Sequence, residues 1–344
     1  MDRTQQIVGC LLGGAVGDAI GLPFEGLSRR HIAARLGTAP LEHSLVGGRG
    51  MLSDDTEHAC MTAQALLAAR GDPDVFLRSL AWRLRGWLIA LPAAVGWGTL
   101  RAILKLWFGT PPQRSGVDSA GNGPAMRAAI LGACLGPSHL QAFVERSTRL
   151  THTDPRALAG ALAIAQAASA IVHTDTPPPR IIADIRAATS DPELAAALEL
   201  ALAHHARGAS PEFFACSLGQ VEGVTGYIHH TVPVALYCWL TSPRDVRAAI
   251  ESAVRLGGDT DTVAAIVGGL VGASAGAAQI PEPWLRGILE APRSPAWIRR
   301  LGERLAAPSS PGPLRLMWPL LPLRNLVFLF IVLGHGFARL LRLR

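Results

Sequence analysis

Nowhere in this 344-residue chain do apolar and polar residues alternate over the four to eight positions that a half-buried strand requires, so the core has to be assembled from helices. Composition agrees: hydrophobic residues make up 49% of the chain, with alanine and leucine foremost, and aromatics only 6%. Intrinsic propensity therefore favours helix throughout. The length suffices for one large helical domain or two modest ones. An all-α protein is expected.

Residues 7–22 read as an apolar, glycine-rich helix that Pro23 and Gly26 stop. The segment lacks a basic leader, because Asp2 offsets Arg3, and Asp18 interrupts it, so a core helix is expected rather than a secretory signal. An Ala/Leu helix follows Ser53-Asp54-Asp55-Thr56-Glu57 as far as about Arg70, and 74–108 reads as one or two tryptophan-bearing helices. Residues 111–123 form a polar, glycine-rich loop. Thr151-His152-Thr153-Asp154-Pro155 opens a long alanine-rich helix over 156–172, and Pro177–Pro179 reads as a loop. Helices are expected over 191–206, 211–219 and 243–256, and Gly257-Gly258-Asp259-Thr260-Asp261-Thr262 precedes a last apolar helix over 263–276.

The net charge of +6 is unevenly spread. Nine arginines and one acid, Glu303, lie between Arg293 and Arg344, which leaves the preceding 292 residues at −2. The high overall pI is thus a property of the tail and does not argue for nucleic acid as a partner. The five cysteines are widely spaced with no CxxC pair, as expected of buried thiols in a reducing, cytoplasmic setting. A domain over residues 1–305 is expected, then a Pro-rich linker beginning at Ala306 and running to Pro313, and an apolar, arginine-flanked tail. The tail's charge-free run, Asn325–Ala338, is 14 residues, too short to span a bilayer as a helix. Residues 314–344 therefore suit a peripheral membrane contact, docking on the body, or a dimer contact.

Two segments repeat one chemistry. Ser53-Asp54-Asp55 and Asp259-Thr260-Asp261-Thr262 each set acids and hydroxyls before an apolar helix. Such hard oxygen donors are what Mg²⁺ or Mn²⁺ prefers, and clustered aspartates would need cations to offset their repulsion. The same residues also serve as ordinary helix caps, and Asp54 with Glu57 fits a capping-box spacing. Neither segment decides the matter alone.

The order of motifs does more. Gly17-Asp18-Ala19-Ile20-Gly21-Leu22-Pro23-Phe24-Glu25, Ser53-Asp54-Asp55-Thr56, Gly121-Asn122-Gly123 with Met126-Arg127, Thr151-His152, and Gly257-Gly258-Asp259-Thr260-Asp261-Thr262 resemble, in this sequence, the ADP-ribosylglycohydrolase family. The resemblance covers roughly residues 5–280. It implies a compact, orthogonal multi-helix fold around a cleft holding two divalent cations, Mg²⁺ or Mn²⁺. Ser53, Asp54 and Asp55 would supply ligands from one side and Asp259, Asp261 and Thr262 from the other. Ser53 stands where many members have threonine, which keeps the hydroxyl. Gly121, Asn122 and Gly123 would bind ADP-ribose through a loop whose backbone can approach a phosphate closely, with His152 near the diphosphate or a ribose. Tyr227 would wall the adenine. Asp18 would support the site from behind.

The implied reaction is hydrolysis of the glycosidic bond between ADP-ribose and a protein side chain, with Glu25 or Asp55 as general base or acid. Arginine-linked ADP-ribose is the first expectation for the substrate; serine, a nucleobase or a small ADP-ribosyl compound are the others, and a non-catalytic ADP-ribose binder is the alternative outside enzymes. The arginine-rich, nearly lysine-free composition suits a GC-rich bacterial source.

Overall fold

The computed structural model describes residues 1–307, 309 and 312–342, the last four as backbone only. Among these residues there are seventeen α-helices and no sheet. In chain order they are α1 (Arg3–Gly21), α2 (Arg29–Leu36), α3 (Asp54–Ala69), α4 (Pro73–Ile89), α5 (Trp97–Trp107), α6 (Ala129–Cys134), α7 (Pro137–Arg149), α8 (Pro155–His173), α9 (Pro178–Ala188), α10 (Pro192–Ala206), α11 (Pro211–Ser217), α12 (Ile228–Thr241), α13 (Val246–Arg255), α14 (Thr260–Ala275), α15 (Glu282–Gly287), α16 (Pro295–Ala306) and α17 (Leu320–Arg342). The all-α expectation holds. Five helices start alike, with an Asp or Ser side chain capping the first backbone amides and proline at the first helical position: α4, α8, α10, α11 and α16.

The core is organised around α1 and α14, which share the most extensive contact in the molecule and run antiparallel. Their backbones touch. A Cβ on Gly9, Gly13, Gly17 or Gly21 would lie 2.1, 2.2, 2.0 or 2.4 Å from the carbonyl oxygens of Gly272, Gly268, Ala264 and Thr260 in turn. The four glycines recur every fourth residue, so they form one stripe on one face of α1. Gly268 and Gly272 answer from α14, where a Cβ would meet Gly13 O and Gly9 O at 2.1 Å. Nearly every side chain of both helices is buried, including Ile7, Leu12, Val16, Ile20, Val267 and Leu270. The N-terminal helix is thus a core element, as its sequence indicates. α3, α6, α8, α12, α13 and α16 pack around this pair.

Several boundaries differ from the sequence reading. Of the one or two helices expected over 74–108 the structure has two, α4 and α5, separated by 90–96. Pro178 and Pro179 open α9 instead of lying in a loop, because proline is well placed in a first helical turn. α12 accommodates Pro233 internally. α14 begins at Thr260, so Asp261 and Thr262 sit in its first turn and not ahead of it.

The tail differs most. Of the expected linker, positions 308, 310 and 311 lie outside the described residues. Beyond it α17 is 23 residues long, about 35 Å at 1.5 Å per residue, because it runs on through Arg324 rather than starting after it. Arg324 and Asn325 are buried against the body. Arg324 pairs with Glu290 at 2.6 Å and donates to Leu52 O, and Asn325 donates to Ala90 O at 2.7 Å. Phe328 fills a small apolar cluster with Leu22, Leu45 and Met51.

The stripe is testable within one helix. Gly17→Ala should destabilise the protein by about 1–3 kcal/mol, since its methyl would meet backbone that cannot give way. Gly14→Ala, whose Cβ would find its nearest neighbour at an ordinary 3.4 Å, should be neutral or stabilising by roughly 0.5–1 kcal/mol from helix propensity. Urea midpoints of the two variants check the contrast.

Candidate active site

Because α1 and α14 are antiparallel, the C-terminal end of one meets the N-terminal end of the other. Asp18, on the last turns of α1, is fully buried and accepts from Ser53 N at 2.9 Å, Thr56 N at 3.2 Å and Thr56 Oγ1 at 2.5 Å. Burial raises its carboxyl to about 6, against the lowering effect of those donors. Asp18 thereby fixes the first turn of α3 at the end of α1. Ser53 caps α3, accepting from Asp55 N at 3.2 Å, so the cap is Ser53 and not Asp54. Glu57 does not complete a capping box either. Its carboxylate turns inward to the Trp87 indole at 2.5 Å and to Arg293.

The other half of the site comes from α14. Gly257 and Gly258 have φ of +75° and +82°, and a Cβ on either would strike Leu27 O or Val224 O. Only glycine allows this double turn to thread between those two loops. Hydrogen bonds lace it there: Gly26 N to Gly258 O at 2.8 Å, Gly258 N to Leu27 O at 2.8 Å and Asp259 N to Val224 O at 2.7 Å. Asp259, Asp261 and Thr262 then face α3. The Thr262 hydroxyl donates to Asp55 Oδ2 at 3.1 Å, and so does that of Ser53 at 3.2 Å. Asn122 Nδ2 donates to Asp259 Oδ2 at 2.7 Å and to Thr231 Oγ1 at 3.0 Å, tying the glycine loop to the same cluster.

These groups line one cavity of about 350 Å³. Glu25, Ser53, Asp54, Asp55, Asp259, Asp261 and Thr262 lie on its wall together with Gly121, Asn122, Gly123 and His152, and among the described residues no lysine or arginine does. Five carboxylates share a space without a cation side chain. Burial first, and neighbouring carboxylates second, hold Asp54 and Asp55 well above the usual carboxylate range. Asp261 is raised in the same way, by burial first and then by the charges of Glu25 and Asp259. Asp55 Oδ1 is buried with no hydrogen-bond partner among the described residues.

His152 stands beneath the glycine loops. A Cβ on Gly98, Gly121 or Gly123 would come within 3.0, 3.4 or 3.2 Å of its ring. Burial, reinforced by Arg127, lowers it to about 3, so it is neutral at ordinary pH. Arg127 is itself fully buried and donates to Ser147 O, Ser147 Oγ and Thr151 Oγ1, and Thr151 Oγ1 lies 2.9 Å from His152 Nδ1.

One expected site residue is placed elsewhere. Tyr227 does not line the cavity. Its backbone pairs with Gly121, while its hydroxyl turns to Arg156 and Glu193, each at 3.3 Å, and its ring stacks edge-on to His229. The exposed aromatic at the cavity is Trp97, 72% exposed between Gly96 and Gly98. It lies within the helical segment expected over 74–108, and the structure makes it the first residue of α5, behind the capping Gly96. Phe328 and Val332 of α17 also form part of the wall, which nothing in the tail's sequence announced.

Comparison with known proteins gives the same picture. The sequence model described as ADP-ribosylglycohydrolase matches residues 1–313. The chain is 29% identical to the ADP-ribosyl-[dinitrogen reductase] glycohydrolase of Rhodospirillum rubrum, over 81% of this chain and 88% of that one. It is 31% identical to the uncharacterized protein YegU of Escherichia coli, over 84% and 93%. Among solved structures, an ADP-ribosylglycohydrolase-related protein complex superposes with a TM-score of 0.68 at 29% identity, covering 89% of this chain and 98% of that one. With five motifs gathered on one cavity and the match running through nearly the whole body, the chain belongs to the ADP-ribosylglycohydrolase family, whose members are hydrolases of ADP-ribose glycosidic linkages.

Proposed function

We propose that this protein removes ADP-ribose from arginine side chains of modified proteins, using two divalent cations, Mg²⁺ or Mn²⁺. The observation that carries the reading is that the charged side chains on the cavity wall are all acids. ADP-ribose brings a diphosphate, yet among the described residues no lysine or arginine lines the space to receive it. The donor set fits hard cations: carboxylates raised by burial and by one another, an orphaned Asp55 oxygen, and two hydroxyls. Among the described residues no three His, Cys, Asp or Glu side chains are grouped to hold an ion; the Ser53 and Thr262 hydroxyls beside Asp55 offer further oxygen donors. Ser53, Asp54 and Asp55 would hold the pair from α3, and Asp259, Asp261 and Thr262 from α14. When bound, the cations supply charge neutralisation, orientation of the ribose hydroxyls and a lowered pKa for water.

The chain's own residues divide the remaining work. Asp55 Oδ2 is already engaged by two hydroxyls and the residue is buried, which suits a ligand. Glu25 is exposed, on the loop after α1 at the cavity rim, and is the carboxylate better placed to take a proton from water. Water's oxygen bonds to the anomeric carbon as the C–N bond breaks, and its electron pair leaves with the guanidine nitrogen. The proton taken by Glu25 passes to that nitrogen or to solvent. Neutral His152 can hydrogen-bond a ribose or phosphate but has no imidazolium proton to give. Five acids against two dications leave a net negative wall, and a guanidinium is drawn to it more strongly than a neutral serine. Trp97, exposed beside the glycine loop, takes the adenine-stacking role expected of Tyr227.

Incubation with an ADP-ribosylarginine protein should release free ADP-ribose in Mg²⁺ and not in EDTA, and Asp261→Ala should lower the rate at least about a hundredfold. Release only from an ADP-ribosylserine protein would move the linkage and leave the metal reading intact; release in EDTA would sink the latter. Trp97→Ala should raise KM about tenfold with kcat little changed, as loss of one base–aromatic stack costs. An unchanged KM would place the adenine elsewhere.

Metal binding should also depend on pH. In cation-free protein Asp54, Asp55 and Asp261 hold protons to higher pH folded than unfolded, so their contribution to stability is lost as pH rises above the ordinary carboxylate range. A cation displaces those protons and reverses the trend. Millimolar Mg²⁺ should therefore raise Tm by about 4 °C or more at pH 8 and under about 2 °C at pH 5.5, read by differential scanning fluorimetry.

A further inference from the structure

α17 is apolar on its outer face as well as over much of its inner one. Its inner face, through Leu321, Arg324, Asn325 and Phe328, is bound to the body. Its outer face repeats Leu323, Leu326, Phe330, Leu333 and Phe337 at alternating spacings of three and four, and each is at least half exposed, Phe330 by 67% and Phe337 by 65%. A soluble helix in such a position would normally be polar outside.

The exposure is also concentrated. Of 21 large apolar side chains exposed among the described residues, 17 fall within 82–108 and 317–337. The two segments adjoin. Asn325 bonds to Ala90 O, Ala93 packs on the Phe328 cluster, and Trp318 Nε1 lies against Gly86. Besides Trp97 at the cavity, three of the exposed side chains are tryptophans: Trp82, Trp107 and Trp318. Trp belongs at the level of lipid headgroups, where its ring is half in hydrocarbon and its N–H in water.

We infer that α17 and the adjoining α4–α5 segment form a membrane-docking surface that rests on an anionic bilayer, with α17 lying along the interface and the cavity mouth close to it. Charge selects this occupant. Arg315 precedes the apolar face, the sequence places arginines at 339, 342 and 344 after it, and α17 contains no acid. A second copy packed two-fold on this face would set arginine-flanked ends against each other, whereas anionic headgroups match both. The geometry also decides against spanning. α17 reaches bilayer length, but Arg324 and Asn325 hold it flat on the body.

Flotation of the full chain with vesicles tests this. Vesicles of phosphatidylcholine with about one-third phosphatidylglycerol should carry most of the protein, and phosphatidylcholine alone at least about tenfold less. Leu326→Glu with Phe330→Glu, both on the outer face, should lower binding to the mixed vesicles about tenfold or more while leaving ADP-ribose release unchanged. About 0.5 M salt should weaken wild-type binding. Failure to float with either vesicle, binding unaltered by the double substitution, or a stable dimer in solution that the substitution dissociates would each overturn the proposal.

Discussion

The site exists because two helices can touch backbone to backbone. Side chains on the touching faces of α1 and α14 would push the axes apart, and helix pairs with ordinary side chains sit 8–10 Å apart. The glycine stripe removes that spacer. What closes as a result is the distance between the end of α1, with Asp18 and Glu25, and the start of α14, with Asp259, Asp261 and Thr262. Asp18 then passes the constraint to α3 by holding the amides of Ser53 and Thr56. Six oxygen-bearing side chains from two remote parts of the chain are thus placed by one packing contact and one buried carboxylate.

The electrostatics follow from this arrangement. Bringing helix N-termini together favours carboxylates individually, because each sits at a positive helix end. It disfavours them collectively, since burial and mutual repulsion raise Asp54, Asp55 and Asp261. The cluster is therefore a poor structural element and a good receptor for positive charge. Arg127, buried behind His152, shows the contrasting solution: a charge satisfied by Ser147 and Thr151, which supports the wall without entering the cavity.

Much of this was legible in the sequence. The absence of alternation gave helices, and acids and hydroxyls ahead of two apolar helices gave the two halves of the cluster. Asn122, Gly121, Gly123 and His152 come to the same cavity as those acids. What stayed hidden depends on contacts between distant segments. The fourfold spacing of Gly9, Gly13, Gly17 and Gly21 is visible on the page, but its meaning needs the partner helix. Tyr227 looked like any aromatic beside a glycine; only the fold shows it turned toward Arg156 and Glu193, and Trp97 taking the open position. The tail was read by its charge-free run, and Arg324 marked a boundary that burial against Glu290 erased.

Arg324 reaches across the molecule to Leu52, the residue before Ser53, so α17 grips the stretch of backbone that presents the first acids. The same helix covers Leu22, Leu45 and Met51, supplies the counter-charge of Glu290 and lends the cavity Phe328 and Val332. A chain cut ahead of residue 320 would keep the α1–α14 pair and every acid of the cluster, yet leave those apolar side chains and a buried carboxylate uncovered and one side of the cavity open.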